Sequence, residues 1–207
     1  MTRRVPLPSP LPSPSPVERA LLAGDAPDVA PRLLGKILHV GGRGEPVVAG
    51  RIVEVEAYTA DDPASHSHRG RTARNAAMFG RAGTLYVYSS YGIHHCANVV
   101  TGAEGDGQAV LLRAVAPLEG HSEMRRRRGA VSERRLTDGP GKLCQAFGIV
   151  RRHDGLDLCA PEGTSGDGGV RLVDDGTPPP DLPVIGPRVG ISRAAAVAWR
   201  WRVPGPT

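Results

Sequence analysis

The sequence predicts an α+β fold: a single domain in which a curved antiparallel β-sheet, extended by a protruding β-hairpin, carries peripheral helices. Three observations predict it. Apolar residues make up 40% of the 207, enough for one real core. Strand-like segments cluster between residues 37 and 115, short and partly alternating, with two of them joined by a turn of small residues. Capped helical segments flank that cluster on both sides.

Residues 1–16 (MTRRVPLPSPLPSPSP) are dominated by Pro and Ser, which cannot build a core, and they read as a disordered arm before a domain over 17–207. Ser15-Pro16-Val17-Glu18 has the order of a helix start, with Ser as N-cap, Pro at N1 and Glu at N3, so a short helix is expected over Val17–Leu22. A second is expected from Asp28 to Leu34, stopped by Gly35. Short strands follow at Ile37–Val40 and Pro46–Val48. A stronger one, GRIVEVEAY (50–58), sets Val53, Val55 and Ala57 on one face and Glu54, Glu56 and Tyr58 on the other. Residues 59–83 form a long polar loop bearing Arg69, Arg71, Arg74 and Arg81, and long irregular loops in compact domains are often functional.

Thr84–Tyr88 and Ile93–Val100 read as the two strands of a hairpin, joined by Ser89-Ser90-Tyr91-Gly92. Ala109–Val115 reads as a buried strand with Arg113 embedded in it. Pro117 is expected to open a charged helix ending in Arg125–Arg128, and Asp138-Gly139-Pro140 to start another reaching Gly148, with Leu143, Ala146 and Phe147 toward the core. Residues 161–181, rich in Gly, Asp and Pro, read as a surface loop. Val184–Ile191 and Ala196–Val203 are expected as the last strands, and 204–207 should fray.

Charge and cysteine content narrow the function classes. The net charge of +5 favours a polyanionic partner, although a basic soluble enzyme of any kind would carry it equally well. Lys36 and Lys142 are the only lysines; the Arg bias suits phosphate contacts and also follows from genomic base composition. Three cysteines (Cys96, Cys144, Cys159) without paired spacing argue against a disulfide framework. No apolar run is long enough to span a bilayer, and the N-terminus has no apolar signal region, so the expectation is a cytoplasmic protein with no membrane partner.

The chemistry-bearing residues fall into groups. Glu56 and Arg113 each interrupt an apolar strand, where a charge is costly unless paired. They could be a structural ion pair, or a carboxylate held beside a guanidinium to take a proton from water. The four tyrosines are Tyr58, Tyr86, Tyr88 and Tyr91. Tyr86 and Tyr88 share a strand face, which serves cross-strand packing or a stacking platform for a planar base. Tyr91, a large ring at a turn, has little core to enter and could wedge into a base stack. His66, His68, His94, His95 and Cys96 match no zinc spacing, and adjacent strand residues face opposite ways, so no metal is expected. The zinc deaminase signature is missing. Lys142 sits at a helix start whose amides could hold a phosphate. The Arg125–Arg128 run is a solvated face or a source of nonspecific attraction to DNA.

Taken together, R-I-V-E-V-E-A-Y (51–58), H-S (66–67), R-N-x-x-M-F (74–79), G-T-L-Y-V-Y-x-x-Y-G (83–92), N (98), V-L-L-R-A-x-x-P-L-E-G (110–120) and G-P-G-K-L-C-Q-A (139–146) resemble the alkyladenine, or 3-methyladenine, DNA glycosylase family, in collinear order over about residues 27–203. The resemblance implies a monofunctional glycosylase that flips damaged purines out of double-stranded DNA and hydrolyses the N-glycosidic bond, acting as a monomer without a cofactor. It makes Glu56 the general base and Arg113 its partner in binding the attacking water, with a backbone carbonyl in the Arg188-Val189-Gly190 segment completing that water site. Tyr58, His66, Tyr88, Asn98 and Val189 belong to the base pocket, and Asn98 discriminates against guanine. Tyr91 is the intercalating wedge, and Lys142 and Arg74 meet the DNA backbone. The stretch from Tyr58 to His66 is one residue shorter than in animal members, which favours His66 over His68. The Pro/Ser arm and the 161–181 loop have no counterpart. The alternative is a noncatalytic DNA-binding protein that senses lesions with the same fold; a further rival is an RNA-binding module with an aromatic sheet. Intact Glu56 and Arg113 argue for catalysis, and chemistry supports hydrolysis: a Schiff-base lyase needs an amine nucleophile, and lysines are scarce.

Overall fold

A computed structural model of the chain describes residues 14–42, 44–90, 92–161 and 169–205. Its centre is strand β3, Glu45–Tyr58, one continuous element of 14 residues where the sequence suggested two. β3 pairs along one edge with β6 (Gln108–Glu119), which in turn pairs with β5 (His94–Thr101), and β5 with β4 (Leu85–Ser90). The other edge of β3 is shared by two partners. Its first half pairs with β2 (Ile37–Gly42), and Glu54–Glu56 pair with β9 (Arg200–Arg202). The β7 strand (Val170–Asp174) continues beyond β2, β1 (Ser15–Pro16) beyond β7, and β8 (Val184–Gly186) beyond β9. Among the described residues the result is an open, antiparallel sheet of nine strands, with helices packed against it: an α+β fold.

The helices are α1 (Arg19–Leu22), α2 (Ala26–Leu33), α3 (His121–Arg128) and α4 (Pro140–Phe147). Val29 and Leu33 of α2, Met124 of α3, and Leu143 and Phe147 of α4 are fully buried in one core with Ile52, Val55, Val99 and Leu112 of the sheet. No helix among the described residues is long and apolar enough to cross a membrane.

Several expectations are corrected. Ser15 and Pro16 do not cap a helix. They pair with Asp174 and Val173, and α1 starts at Arg19 behind Glu18. Pro16 costs little there because an edge strand can dispense with one N–H. The rest of the arm, residues 1–13, lies outside the described residues. Helix α2 starts two residues early, at Ala26, because Asp25 takes the N-cap position and Pro27 suits the first turn. β6 runs through Pro117, expected to open a helix, and α3 begins only at His121. Beyond Ala114, which bridges Asp138, β6 pairs with β3 alone among the described residues, the edge condition that admits a proline at 117. The 161–181 segment, read as loop, contains β7, whose Val170 and Leu172 are fully buried; residues 162–168 are outside the described set. The last two strands shrink to three residues each, β8 and β9, because Pro187 and Gly190, at φ 77°, release the chain between them from the sheet.

One correction shapes the site. The β3–β6 register shifts between Ile52 and Glu54 and again before Val55, leaving Val53 of β3 and Arg113 of β6 outside the paired positions. A bulge resets the alternation. Ile52, Val55 and Ala57 therefore share the core, while Val53 is only half-buried. Arg113 is freed to reach along the carboxylate face of β3.

Candidate active site

Glu56 sits at the middle of the sheet with no exposed surface. An unpaired charge there would be prohibitive, and three donors meet it. The Tyr58 hydroxyl donates to Oε2 at 2.9 Å, and the Val189 N–H donates to Oε1 at 2.7 Å. Arg113 Nη1 approaches Oε1 at 3.2 Å, while Arg113 Nε donates to Glu54 Oε1 at 2.8 Å. Arg200 on β9 adds a 3.3 Å contact to the same Glu54 oxygen. Burial opposes the charge on Arg113, but Glu56 and then Glu54 outweigh it, and its pKa is raised. The cluster is a satisfied ion-pair network that holds the Glu56 carboxylate beside a guanidinium. The Val189 group that touches Glu56 is the N–H, not the carbonyl.

Tyr58 links this carboxylate to a cavity of about 320 Å³. Its walls include Tyr58, His66, Met78, Tyr86, Tyr88, Asn98, Gly190 and Ile191, with Arg74, Ser89 and Ser90 also lining it. Strand alternation explains the aromatic wall: Tyr86 and Tyr88 are two residues apart on β4, their rings 5.7 Å apart and tilted by 32°. His66 stands edge-on to Tyr88 at 4.4 Å and shares a 2.9 Å hydrogen bond between Nδ1 and the Tyr86 hydroxyl. Burial, and then the nearby Arg74 charge, lower the His66 pKa. Burial is also the main cause that raises Tyr58 and Tyr88 and pushes Tyr86 up to about 12. The ring wall is therefore uncharged near neutral pH. Asn98, only 5% exposed, donates from Nδ2 to Tyr86 O at 3.1 Å.

The loop carrying His66 is irregular but tied down. Asn75 donates to His66 O at 2.9 Å and to Gly70 O at 3.1 Å, and accepts from the Thr72 N–H at 2.6 Å and the Thr72 hydroxyl at 3.0 Å. A long loop held by one buried amide side chain gives a histidine a fixed position without a strand beneath it.

Glu56, Tyr58, Arg113 and Val189 thus converge at one end, and His66, Tyr88, Asn98 and Arg74 around the cavity. His66 lines it and His68, although described, does not. Lys142 does not line it either; its amine binds Asp138 at 2.8 Å in the first turn of α4. Tyr91 lies outside the described residues. The flanking turn is closed by the Ile93 N–H donating to Ser90 O at 3.1 Å. The arginine run of α3 is largely committed to the protein itself. Arg126 and Arg127 pair with Glu123, Arg125 with Glu133, and Arg128 binds the carbonyls of Arg135 and Leu136. No group of three or more His, Cys, Asp or Glu among the described residues is arranged to hold a metal ion.

The i, i+2 spacing of Tyr86 and Tyr88 offers both as a stacking platform, although the family resemblance carries only Tyr88 into the pocket. Sequence reasoning missed Asn75 as the loop's anchor, Glu54 as the second partner of Arg113, and the Asp62–Arg188 pair. The Asn75 contacts lie within the loop but have no regular spacing to announce them, and the other two depend on contacts between distant segments.

Comparisons with known proteins identify the family. A model of the methylpurine-DNA glycosylase (MPG) family matches residues 20–207. A Rhodopseudomonas palustris (strain HaA2) protein named "Putative 3-methyladenine DNA glycosylase" is 48% identical over 205 residues, spanning 99% of this chain and 95% of its own length. Proteins of the same name from Burkholderia lata and Nitrosospira multiformis are each 47% identical. The first aligns over 201 residues (96% of this chain, 92% of its own) and the second over 180 (86% and 85%). With the family model spanning every strand from β2 to β9 and each residue of the Glu56 cluster, the chain belongs to the methylpurine-DNA glycosylase family.

Proposed function

We propose that this protein is a monofunctional glycosylase of base excision repair. It draws an alkylated or deaminated purine out of double-stranded DNA into the Tyr58–His66–Tyr88 cavity and hydrolyses the N-glycosidic bond. The observation that carries the reading is the fully buried Glu56 carboxylate, bound by Tyr58, Arg113 and the Val189 N–H, with Tyr58 itself lining an aromatic cavity. A cavity of about 320 Å³ falls within the usual range for small-ligand sites.

A base inside a duplex cannot be reached without extrusion, which costs a few kcal/mol and least for a damaged pair. Tyr91 at the end of the β4–β5 hairpin is the proposed wedge that fills the gap. Arg74 at the cavity rim, and Lys142 once it exchanges Asp138 for a phosphate, are the proposed backbone contacts. The flipped purine stacks among Tyr58, Tyr88 and His66, and the Asn98 amide, held by Tyr86 O, disfavours the exocyclic amine of guanine, a penalty that the weakened glycosidic bond of cationic 7-methylguanine offsets. The C1′–N bond breaks with its electron pair leaving on the base, and the sugar takes on oxocarbenium character. Water oxygen bonds to C1′, and Glu56 takes the water's proton. A carboxylate offers about four acceptor positions, so the three contacts at Glu56 leave one for that water. The reading requires the segment around Val189 to shift enough to admit it, and that segment has no sheet pairing of its own.

Neither lysine is placed for an imine. Lys36 is buried against Asp174 at 2.7 Å and Lys142 lies away from the cavity, which supports hydrolysis without lyase activity. The reading is of a cytoplasmic monomer. The names of the relatives make 3-methyladenine the first lesion to test. The experiment incubates the protein with duplexes each holding one lesion (3-methyladenine, 7-methylguanine, hypoxanthine, etheno-adenine), measures free base, and adds borohydride to trap any imine. Released base without trapped adduct is expected. Lesion binding without released base supports the noncatalytic alternative.

A further inference from the structure

The chemistry above leaves one buried ion pair unused. The side chains of Asp62 and Arg188 are 1% and 0% exposed. Arg188 Nη2 donates to Asp62 Oδ1 at 3.1 Å, while Nη1 binds the second carboxylate oxygen and donates to Ala57 O at 2.9 Å. The guanidinium carbon lies 4.6 Å from the centroid of the Tyr58 ring and 5.3 Å from that of Trp199. Among the described residues its Nε has no hydrogen-bond partner, and the ring faces supply part of its electrostatic environment. Tyr58 lines the cavity and Arg188 does not. The Tyr58 ring thus touches both the guanidinium and the cavity.

This placement bears on charge selection. An N-methylated purine nucleotide such as 7-methylguanine carries a fixed positive charge before its glycosidic bond breaks; hypoxanthine carries none. A cation behind a ring weakens the ring's attraction for a second cation and repels it directly. A carboxylate paired with the first cation cancels both effects. We propose that Asp62, acting through Arg188 and Tyr58, is a specificity-determining residue that keeps the charge behind the pocket at zero and so lets cationic purines compete with neutral ones. The proposal rests on the reading that the cavity receives the purine.

The test compares kcat/KM on 7-methylguanine and hypoxanthine duplexes within each preparation, so that any loss of folded protein cancels. Asp62→Asn keeps an acceptor but removes the charge, and the 7-methylguanine to hypoxanthine ratio should fall about tenfold. Asp62→Ser makes the same charge change with a smaller side chain, should the amide prevent folding. Asp62→Glu keeps the charge, and the double change Asp62→Asn with Arg188→Gln removes both charges; in each the ratio should stay within about twofold of the wild type. A ratio that stays constant when the carboxylate alone is lost, with both rates falling together, overturns the proposal and leaves the pair as scaffold. A wild-type protein that releases neither base fails the functional reading instead, before any variant is made.

Discussion

The Tyr58 hydroxyl donates to Glu56 Oε2 at 2.9 Å from two residues further along the same strand. Alternation puts both side chains on one face of β3, so the wall of the cavity and the carboxylate behind it are aligned by strand geometry alone. The rest of the cluster is assembled around this pair by β6 and by the chain between β8 and β9.

Arg113 is the first consequence. Its side chain is 13% exposed and serves both Glu54 and Glu56, the latter with no exposure. Arg113→Met leaves the Glu56 charge buried without its cation, and should cost about 3–5 kcal/mol of stability, measured by chemical denaturation. Arg113→Lys keeps a charge but offers no planar fork to reach two carboxylates, so its loss should be intermediate.

Asn75 makes a separate prediction. Asn75→Ala removes the donors to His66 O and Gly70 O and the acceptor for Thr72, and should destabilise by about 1–3 kcal/mol. Amide hydrogen exchange should quicken in residues 65–75 while β5 and β6 stay protected. Uniform exchange across the sheet would mean the loop is not an independent unit.

His66 sets an acid limit. Its pKa in the fold is lowered from 6.5 by burial and by Arg74. Between that lowered value and 6.5 the unfolded chain binds more protons than the folded one, so stability rises with pH through this window and falls on acidification. His66→Gln should remove that contribution. The difference in denaturation midpoint between pH 5 and pH 7 should be smaller in the variant than in the wild type. An equal or larger difference would place the titration elsewhere.

Tyr91→Ala addresses the proposed wedge. The variant should lose most of the lesion-dependent fluorescence of a flipped base analogue while its affinity for undamaged duplex changes little. Equal fluorescence in both proteins would remove Tyr91 from the flipping step.

What could be read from the sequence follows from the range of the interactions involved. The 84–100 hairpin and the Glu56–Tyr58 alternation are local patterns, and the structure keeps them. Arg113 as the partner of Glu56 needed two strands in register, and came from the family resemblance rather than from spacing. β7 was hidden because Val170 and Leu172 are embedded in Gly- and Asp-rich sequence; only pairing with β2 makes them core. The offset at Val53 was invisible because a bulge is a property of two strands, not of one. Arg188 lies 126 residues from Asp62, and nothing local announces that it turns inward.

The central claim is that Glu56 takes the proton from the water that hydrolyses the glycosidic bond. The most direct test is single-turnover base release from a duplex holding one 7-methylguanine, comparing wild type with Glu56→Gln, alongside lesion binding measured on the same duplex. The amide keeps the shape, its oxygen can still accept from the Val189 N–H, and its NH2 can donate to the Tyr58 oxygen in place of the bond Tyr58 now donates, so binding should stay within a few-fold of wild type. Release should fall by about 10²–10⁴-fold, the usual contribution of a general base. Release at the wild-type rate from a folded, DNA-binding Glu56→Gln protein would contradict the account.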